Sequence, residues 1–126
     1  MTANELMQAI WNSIGSDLGT YEDGSNAFWL RPPEPPNQAV AGIECIVENI
    51  PRGMPENSGA WQKHFNKLWQ VILIAHGRDV DLAPTLLKLQ RSTLNIQRTI
   101  VLPATIESNA FVRLEVFDPE MVNVIR

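Results

Sequence analysis

The side chains that could do chemistry are few, and they stand far apart in the chain. His64 and His76 are the only histidines, and Cys45 is the only cysteine. A zinc site, or a cysteine nucleophile with a histidine base, needs such groups at the spacing of a turn or hairpin, which these residues do not have. We therefore expect Cys45 to be a small core side chain and His76 to end a strand. A single cysteine also excludes an internal disulfide.

Acidic residues and glycines do not indicate a reaction either. Glu44 and Glu48 lie four residues apart on one face of an expected strand, too far along it to act together on one small group, which favours a solvated face. Gly15, Gly19 and Gly24 are isolated and follow no strand, so they do not form a loop that cradles a phosphate. We expect no catalytic residue, no bound cofactor and no metal ion.

Length and charge limit the possible classes of function. The 126 residues, 44% of them hydrophobic, suffice for one domain with a single core. With a net charge of −4 and ten Lys and Arg residues, the chain lacks the basic surface that usually holds a nucleic-acid backbone. The first 14 residues show a helical period in place of the apolar run of a signal peptide, which predicts a protein made in the cytoplasm.

The strongest structural signal is the stretch 68–75. Apolar residues fill it except at Gln70, which predicts a central strand buried on both faces. A polar turn follows at 76–79. Asp81 then predicts the cap of a helix, and Pro84 suits the first turn of that helix. The apolar face of this helix is expected at Leu82, Leu86 and Leu89.

The flanking segments complete an α+β fold. Thr2 and Glu5 form a capping-box pattern, and apolar residues then recur at helical spacing. The expected elements are a helix over 3–14 and strands over 27–30, 40–50, 96–102 and 110–117, the last ended by Asp118 and Pro119. The order is α-β-β-loop-β-α-β-β, in a single domain 1–126. It predicts a mainly antiparallel sheet of about four to five strands with two helices packed on it.

Three irregular segments carry the candidate contact residues. RPPEPP (31–36) ends a ladder and is expected to be a stiff turn or edge segment, with a short proline-rich ligand as the alternative. The segment 51–66 is predicted to be a long loop that holds apolar side chains for a partner; alternatively, its aromatic residues begin the central strand and cover the core. The C-terminal segment 121–126 is apolar. The candidate interface residues are Met54, Trp61, Phe65, Pro33, Pro35, Met121 and Val124.

The second half of the chain resembles a family of virion proteins. WQVILIAHG, then DLAPTLLKL, then NIQRTIVLPATIESNAFVRLEVFD resemble the small tail terminator and tail completion proteins of tailed bacteriophages. The resemblance runs from about Trp61 to Pro119 and is one of pattern and length. It implies an α+β protomer that assembles as a ring, usually a hexamer, on the head-proximal end of the tail tube.

The resemblance also implies the role and the partners. The ring stops polymerisation of the tube and joins it to the neck or head-completion (stopper) protein, with the sheath as a further partner in tails that have one. DNA crosses the channel without specific binding, and no membrane is involved, so the protein would reside in the neck-proximal part of the phage tail. The alternatives are another head-tail connector, a baseplate component or, from a different class, a small ligand-binding or enzymatic α+β domain.

Overall fold

The chain forms one sheet with two helices on one of its faces, as a computed structural model shows for residues 2–50, 56–57, 62–106 and 108–123. For 56–57, 62–67 and 118–123 the description covers the backbone only. The elements in chain order are α1 (Ala3–Ile14), a short 3-10 turn (Gly15–Asp17), β1 (Thr20–Tyr21), β2 (Phe28–Arg31), β3 (Val40–Ile50), β4 (Glu56–Asn57), β5 (Gln62–His76), α2 (Ala83–Gln90), β6 (Ile96–Leu102) and β7 (Phe111–Asn123).

The sheet has the strand order β1-β3-β5-β7-β6. β2 lies beside β3 in the same edge region as β1, and β4 lies beside β5. The pairs are antiparallel except β2–β3, which is parallel. The expected α+β class with a mainly antiparallel sheet and two helices is confirmed.

Local signals in the sequence account for the helices. Thr2 Oγ1 accepts a hydrogen bond from the Glu5 amide, and Glu5 Oε1 accepts one from the Thr2 amide, each at 3.1 Å, which completes the capping box of α1. Asp81 was predicted to cap α2, but the N-cap residue is Leu82; Asp81 Oδ1 instead accepts from the Ala83 amide just before the helix, and Pro84 fits the first turn. The helix predicted over 3–14 has the observed bounds of α1.

The core lies between the helices and one face of the sheet. Leu6, Ile10 and Ile14 of α1 are fully buried against inward-facing residues of the three long strands, which include Cys45, Val47, Val71, Leu73, Leu114 and Val116. The prediction that the central strand is buried on both faces is wrong. Gln70, Ile72 and Ile74 are only half-buried, because the helices cover the opposite face alone.

The two central strands are longer than the sequence pattern indicates. β5 begins at Gln62, so strand backbone occupies the end of the loop expected over 51–66, and β4 occupies 56–57. β7 continues through Pro119 to Asn123, although Asp118 and Pro119 were expected to end it. Pro119 lies opposite Asn66 of β5, beyond the last residue of β7 that pairs with β6. At such an edge position a missing amide hydrogen costs no ladder bond.

A register shift interrupts β6, so the residues at alternate positions of the strand do not all lie on one face of the sheet. Ile96 pairs with Val116 and packs on the core, whereas Arg98 pairs with Glu115. Arg98, Ile100 and Leu102 therefore occupy the face away from the helices, and Ile96 does not join them. The cause is a β-bulge, in which one extra residue reverses the facing of the rest of the strand.

A carboxylate ties the end of α1 to α2. Asp17 Oδ1 accepts from Lys88 Nζ at 2.7 Å, and Asp17 Oδ2 accepts from Thr85 Oγ1 at 3.0 Å. The hydrogen bond from Lys88, supported by the one from Thr85, holds the pKa of Asp17 below its usual value of 3.8. The ionised Asp17 carboxylate therefore stabilises the fold at pH values above 3.8. This contribution to stability is lost as the pH falls through the lowered pKa of Asp17.

We expect Asp17→Asn to lower the free energy of unfolding by about 1 kcal/mol at pH 7, a modest value because Lys88 is half-exposed and screened by solvent. The difference from the wild type should shrink as the pH falls below 4. Urea unfolding between pH 3 and pH 7 measures it. Asp79→Asn, at an exposed site without a hydrogen bond in the described part of the chain, is the matched control. A loss that does not depend on pH would contradict the ionic role.

Candidate functional site

The sheet face opposite the helices carries side chains in rows that cross the strands, and we call it the outer face. Strand register defines three of these rows. The first consists of Arg31, Glu48, Gln70, Glu115 and Arg98, the second of Trp29, Ile46, Ile72, Arg113 and Ile100, and the third of Glu44, Ile74, Phe111 and Leu102. The outer face therefore mixes apolar residues with charges of both signs.

One half of the outer face, above β2 and β3, is covered. Trp29 Nε1 donates to the Pro33 carbonyl at 2.7 Å, which brings the proline segment (Pro32–Pro36) against the Trp29 ring. The Tyr21 ring meets Trp29 edge-on at 6.3 Å. Because β2 is parallel to β3, the chain between them must return along the sheet, and it does so through this segment. Ile46 is consequently only 4% exposed.

Beneath this cover lies a buried carboxylate, where we expected a solvated face. Glu44 is 7% exposed; its Oε2 accepts from Tyr21 Oη at 3.0 Å, and its Oε1 lies 2.8 Å from His76 Nε2. Burial raises the pKa of Tyr21, and the hydrogen bond to Glu44 raises it further. Of the two glutamates expected on a solvated face, only Glu48 is partly accessible to solvent. It is half-buried and bonded to Gln70.

The Glu44 cluster (Tyr21, Glu44 and His76) ties three strands together. His76 is the last residue of β5, as expected, and it reaches β3 across the sheet. The three residue types can transfer protons in enzymes, but a reacting group must be reachable by a substrate. Glu44 and Tyr21 are shielded, so the arrangement serves the fold. Sequence spacing could not reveal it, because the partners of Glu44 are 23 and 32 residues away.

In the described part of the chain, no segment covers the other half of the outer face, above β5, β7 and β6, and we call this half the shelf. It consists of Ile72, Ile74, Ile100, Leu102, Phe111 and Arg113. Ile72, Ile74 and Phe111, with Asn109, line a shallow depression of about 370 Å³. Arg113 stands beside it, and its Nε is shielded from solvent without an acceptor. In the part of the chain that the structure describes, Arg113 makes no ion pair.

The β6 edge adjoins the shelf and is unusually apolar. Val101 is 58% exposed, Leu102 45% and Ile106, in the loop that follows, 98%. β6 pairs with β7 on one side and with no other strand among the described residues. A shallow groove of about 220 Å³ runs from this edge to the start of α2, lined by Leu82 and Leu86 among others.

A larger cavity of about 620 Å³ lies at the end of the sheet where β5 leaves it. It is lined by Gly77, Arg78, Thr105, Ser108 and Asn109 among others, and its volume suits a small molecule. Thr105 Oγ1 and Ser108 Oγ lie 2.8 Å apart and bond each other. Among the described residues that line the cavity there is no histidine, cysteine or carboxylate.

Metal and thiol chemistry find no site in the described residues. Residues 2–50, 68–106 and 108–117, whose side chains the structure describes, contain no group of three or more His, Cys, Asp or Glu placed to hold a metal ion. Cys45 is fully buried, and burial raises the pKa of its thiol. Among the described helices, none is long and apolar enough to cross a membrane.

The candidate interface residues fall into three groups. Pro33 is exposed and Pro35 half-buried in the segment beside Trp29. Phe65 and Met121 lie on β5 and β7, opposite Glu120 and His64 respectively, and only their backbone is described. Met54, Trp61 and Val124 lie outside the described residues. Sequence reasoning did not select Arg113 or the β6 edge, although apolar residues at both β6 faces, Val101 beside Leu102, were a signal of exposure.

No protein-family model matches this chain, and no curated protein matches it.

Proposed function

We propose that the chain is a structural protein of a bacteriophage tail, of the terminator type. It forms a ring on the head-proximal end of the tail tube, stops the tube from growing and joins it to the stopper protein of the neck. The observation that supports this proposal best is that β2 and β6 lie at opposite sides of the sheet and that neither pairs with a second strand among the described residues.

The directions of the two edge strands favour a head-to-tail contact. β2 runs parallel to β3 and β7, and β6 runs opposite to them. If two copies lie side by side in the same orientation, β6 of one meets β2 of the next in antiparallel fashion. Such a contact uses different surfaces on the two copies, and it closes into a ring when the rotation between copies permits.

The composition of the β6 edge supports the same contact. Soluble proteins usually protect an open edge with lysine, proline or a covering loop, because it can pair with any other strand. Here Val101, Leu102 and Ile106 are exposed on β6 and in the loop that follows it. An apolar, open edge on an otherwise acidic chain is suited to a permanent partner, and a second copy of the chain supplies one.

The long strands offer a second contact, for the tube or the neck. β5 and β7 pair from Gln62 and Asn123 to Lys67 and Asp118, beyond the last residue of β3 that pairs with β5. Six residues of strand span about 20 Å. This extension projects beyond the end of β3, where it can reach a neighbouring ring of another protein. The net charge of −4 suits a channel that DNA passes without adhering.

The test is assembly of the purified protein with tail tubes. Light scattering and electron microscopy should show rings, and the rings should stop elongation when they are added to polymerising tube protein from the same phage. A protein that stays monomeric at high concentration and does not bind tubes would rule the proposal out. Binding of a small molecule in the 620 Å³ cavity would favour the ligand-binding alternative instead.

Val101→Lys should abolish the ring while leaving the protomer folded. The exposed side chain contributes little to the core, but a lysine on the edge puts a charge into an apolar strand pairing. Light scattering should then report a monomer, with a thermal midpoint close to that of the wild type. Leu87→Lys, at a comparably exposed apolar residue of α2, is the control and should still form rings. Equal loss in both variants would contradict the role of the edge.

A further inference from the structure

We propose that the proline segment of one copy lies on the shelf of its neighbour, where Glu34 pairs with Arg113. The inference rests on the proposed ring and names a contact inside it. The proline segment and the shelf lie on the same face of the sheet, at opposite edges of the protomer. A head-to-tail ring brings these two edges together.

The shelf lacks a carboxylate. Arg113 has Ile72 and Ile100 as its cross-strand neighbours, and Phe111 precedes it on the same face. A guanidinium with shielded Nε in such surroundings is usually paired with an acid. Glu115 follows on the same face, but it makes no ion pair with Arg113 in the structure. The charge of Arg113 is therefore available to a partner.

The proline segment offers the complementary pattern. Glu34 stands between two prolines on each side, so an acid is flanked by apolar, stiff residues just as Arg113 is flanked by apolar ones. Proline-rich segments lose little conformational entropy when they bind, because the proline rings already restrict their backbone. The Glu34 side chain is 79% exposed.

Glu34 can leave its present partner at little cost. The Glu34 carboxylate lies 3.2 Å from Arg31 Nε, an atom that is shielded from solvent, but the two atoms form no hydrogen bond and Glu34 itself is 79% exposed, so this pair contributes little to stability. Arg31 keeps a second carboxylate, Glu48, 3.4 Å from its Nη1. Exchange of Glu34 to a neighbouring Arg113 thus leaves no charge of the segment unpaired.

Strand spacing makes the contact easier between copies than within one. Within a protomer, β3 and β5 separate β2 from β7, so Glu34 and Arg113 start from strands about 14 Å apart. Between copies joined by β6 and β2, only β6 intervenes, and the two strands are about 10 Å apart. The long side chains of Arg113 and Glu34 span that distance.

A charge-exchange experiment tests the contact in the whole protein. Arg113→Glu and Glu34→Arg should each weaken ring formation by about tenfold or more, because each puts like charges together in an apolar contact. The double variant should assemble as the wild type does. An equal mixture of the two single variants should also assemble, because alternating copies restore an opposite-charge pair at every contact of an even-membered ring.

Two matched variants control for net charge. Arg91→Glu and Glu22→Arg make the same charge changes at exposed sites outside the contact and should leave the rings intact. Circular dichroism and thermal unfolding show whether each variant is folded. If a charge reversal unfolds the protomer, the neutral variant at the same position, Arg113→Met or Glu34→Gln, takes its place. Those neutral variants should also weaken assembly, by a smaller factor than the reversals.

The outcomes separate this contact from the ring itself. If the wild type forms rings and the single variants form them equally well, the contact is overturned and the ring stands. Failure of both the double variant and the mixture to assemble would also overturn it. If the wild type forms no ring and does not bind tubes, the proposed function fails and this contact fails with it.

Discussion

Gly19→Ala should prevent the chain from reaching its native fold. A Cβ built on Gly19 would lie 1.7 Å from the Ala41 carbonyl oxygen, which is backbone and cannot rotate away. Gly19 is also fixed from both sides, since its amide donates to the Ile43 carbonyl at 2.8 Å and its carbonyl accepts from the Ala27 amide at 3.0 Å. We expect a loss of more than about 4 kcal/mol, the range of severe overpacking.

The control for this prediction is Gly24→Ala. Gly24 has a φ of +89° but has open space where its Cβ would be, so the substitution costs only conformational strain of about 1–2 kcal/mol. Circular dichroism and urea unfolding of the soluble fraction compare the two variants. If Gly19→Ala unfolds at the same urea concentration as Gly24→Ala, the close approach of Gly19 to β3 is not required for the fold.

Glu44→Ala is expected to have the second-largest effect, a loss of about 2–4 kcal/mol. The substitution leaves Tyr21 Oη without its acceptor in a buried setting and deprives His76 of its partner. Glu48→Ala removes the same group four residues further along the same face, at a half-exposed position. It should cost less than about 1 kcal/mol. Equal losses in the two variants would contradict the role of burial.

The pH dependence of stability gives Glu44→Ala a second readout. Burial and the bond to Glu44 raise the pKa of Tyr21 above its usual value of 10. The resulting stability is present below pH 10 and is lost as the pH rises above it, because the unfolded tyrosine ionises first. Removal of Glu44 eliminates part of this effect. The stability of Glu44→Ala should therefore fall less steeply between pH 9 and pH 11 than that of the wild type.

Elements defined by local interactions were predictable, and those defined by distant partners were not. The capping box at Thr2 and Glu5 and the apolar period behind it predicted α1 with its observed bounds. The alternation over 40–50 and 96–102 predicted β3 and β6 in the same way. In each case the signal lies within a few residues of the element. The two-residue strand β1 has no such signal, because it exists through its pairing with β3.

Which faces are covered could not be predicted, because cover comes from elsewhere in the chain. The apolar run 68–75 indicated burial on both faces, yet one face of β5 remains half-open. Glu44 has the pattern of a solvated residue, yet it is 7% exposed and bonded to Tyr21 of β1 and His76 of β5. Proline usually ends a strand because it has no amide hydrogen to donate. Pro119 pairs with Asn66 of β5 on one side, and on its other side β6 has already ended, so β7 can continue through it.

The candidate site shows the same limit. Pro33 and Pro35 were selected for their stiffness, and Pro33 is an acceptor for Trp29 beside the exposed Glu34. In the sequence, Arg113 is one charged residue in an alternating strand and carries no signal of a special role. Its significance depends on the register that surrounds it with Ile72 and Ile100, residues 41 and 13 positions away. Single-sequence patterns contain no information about that register.

The strand order has a consequence for biosynthesis. β5 is flanked by β3, which is made before it, and by β7, which is made about 60 residues after β3 ends. At common translation speeds this interval lasts about 3–12 s, during which the apolar stripe of α1 and the inner residues of β3 have left the ribosome without their full complement of neighbours. The nascent chain thus exposes apolar surface for seconds before its middle strand can be enclosed, and we expect chaperones of the cell that makes it to bind that surface during this period.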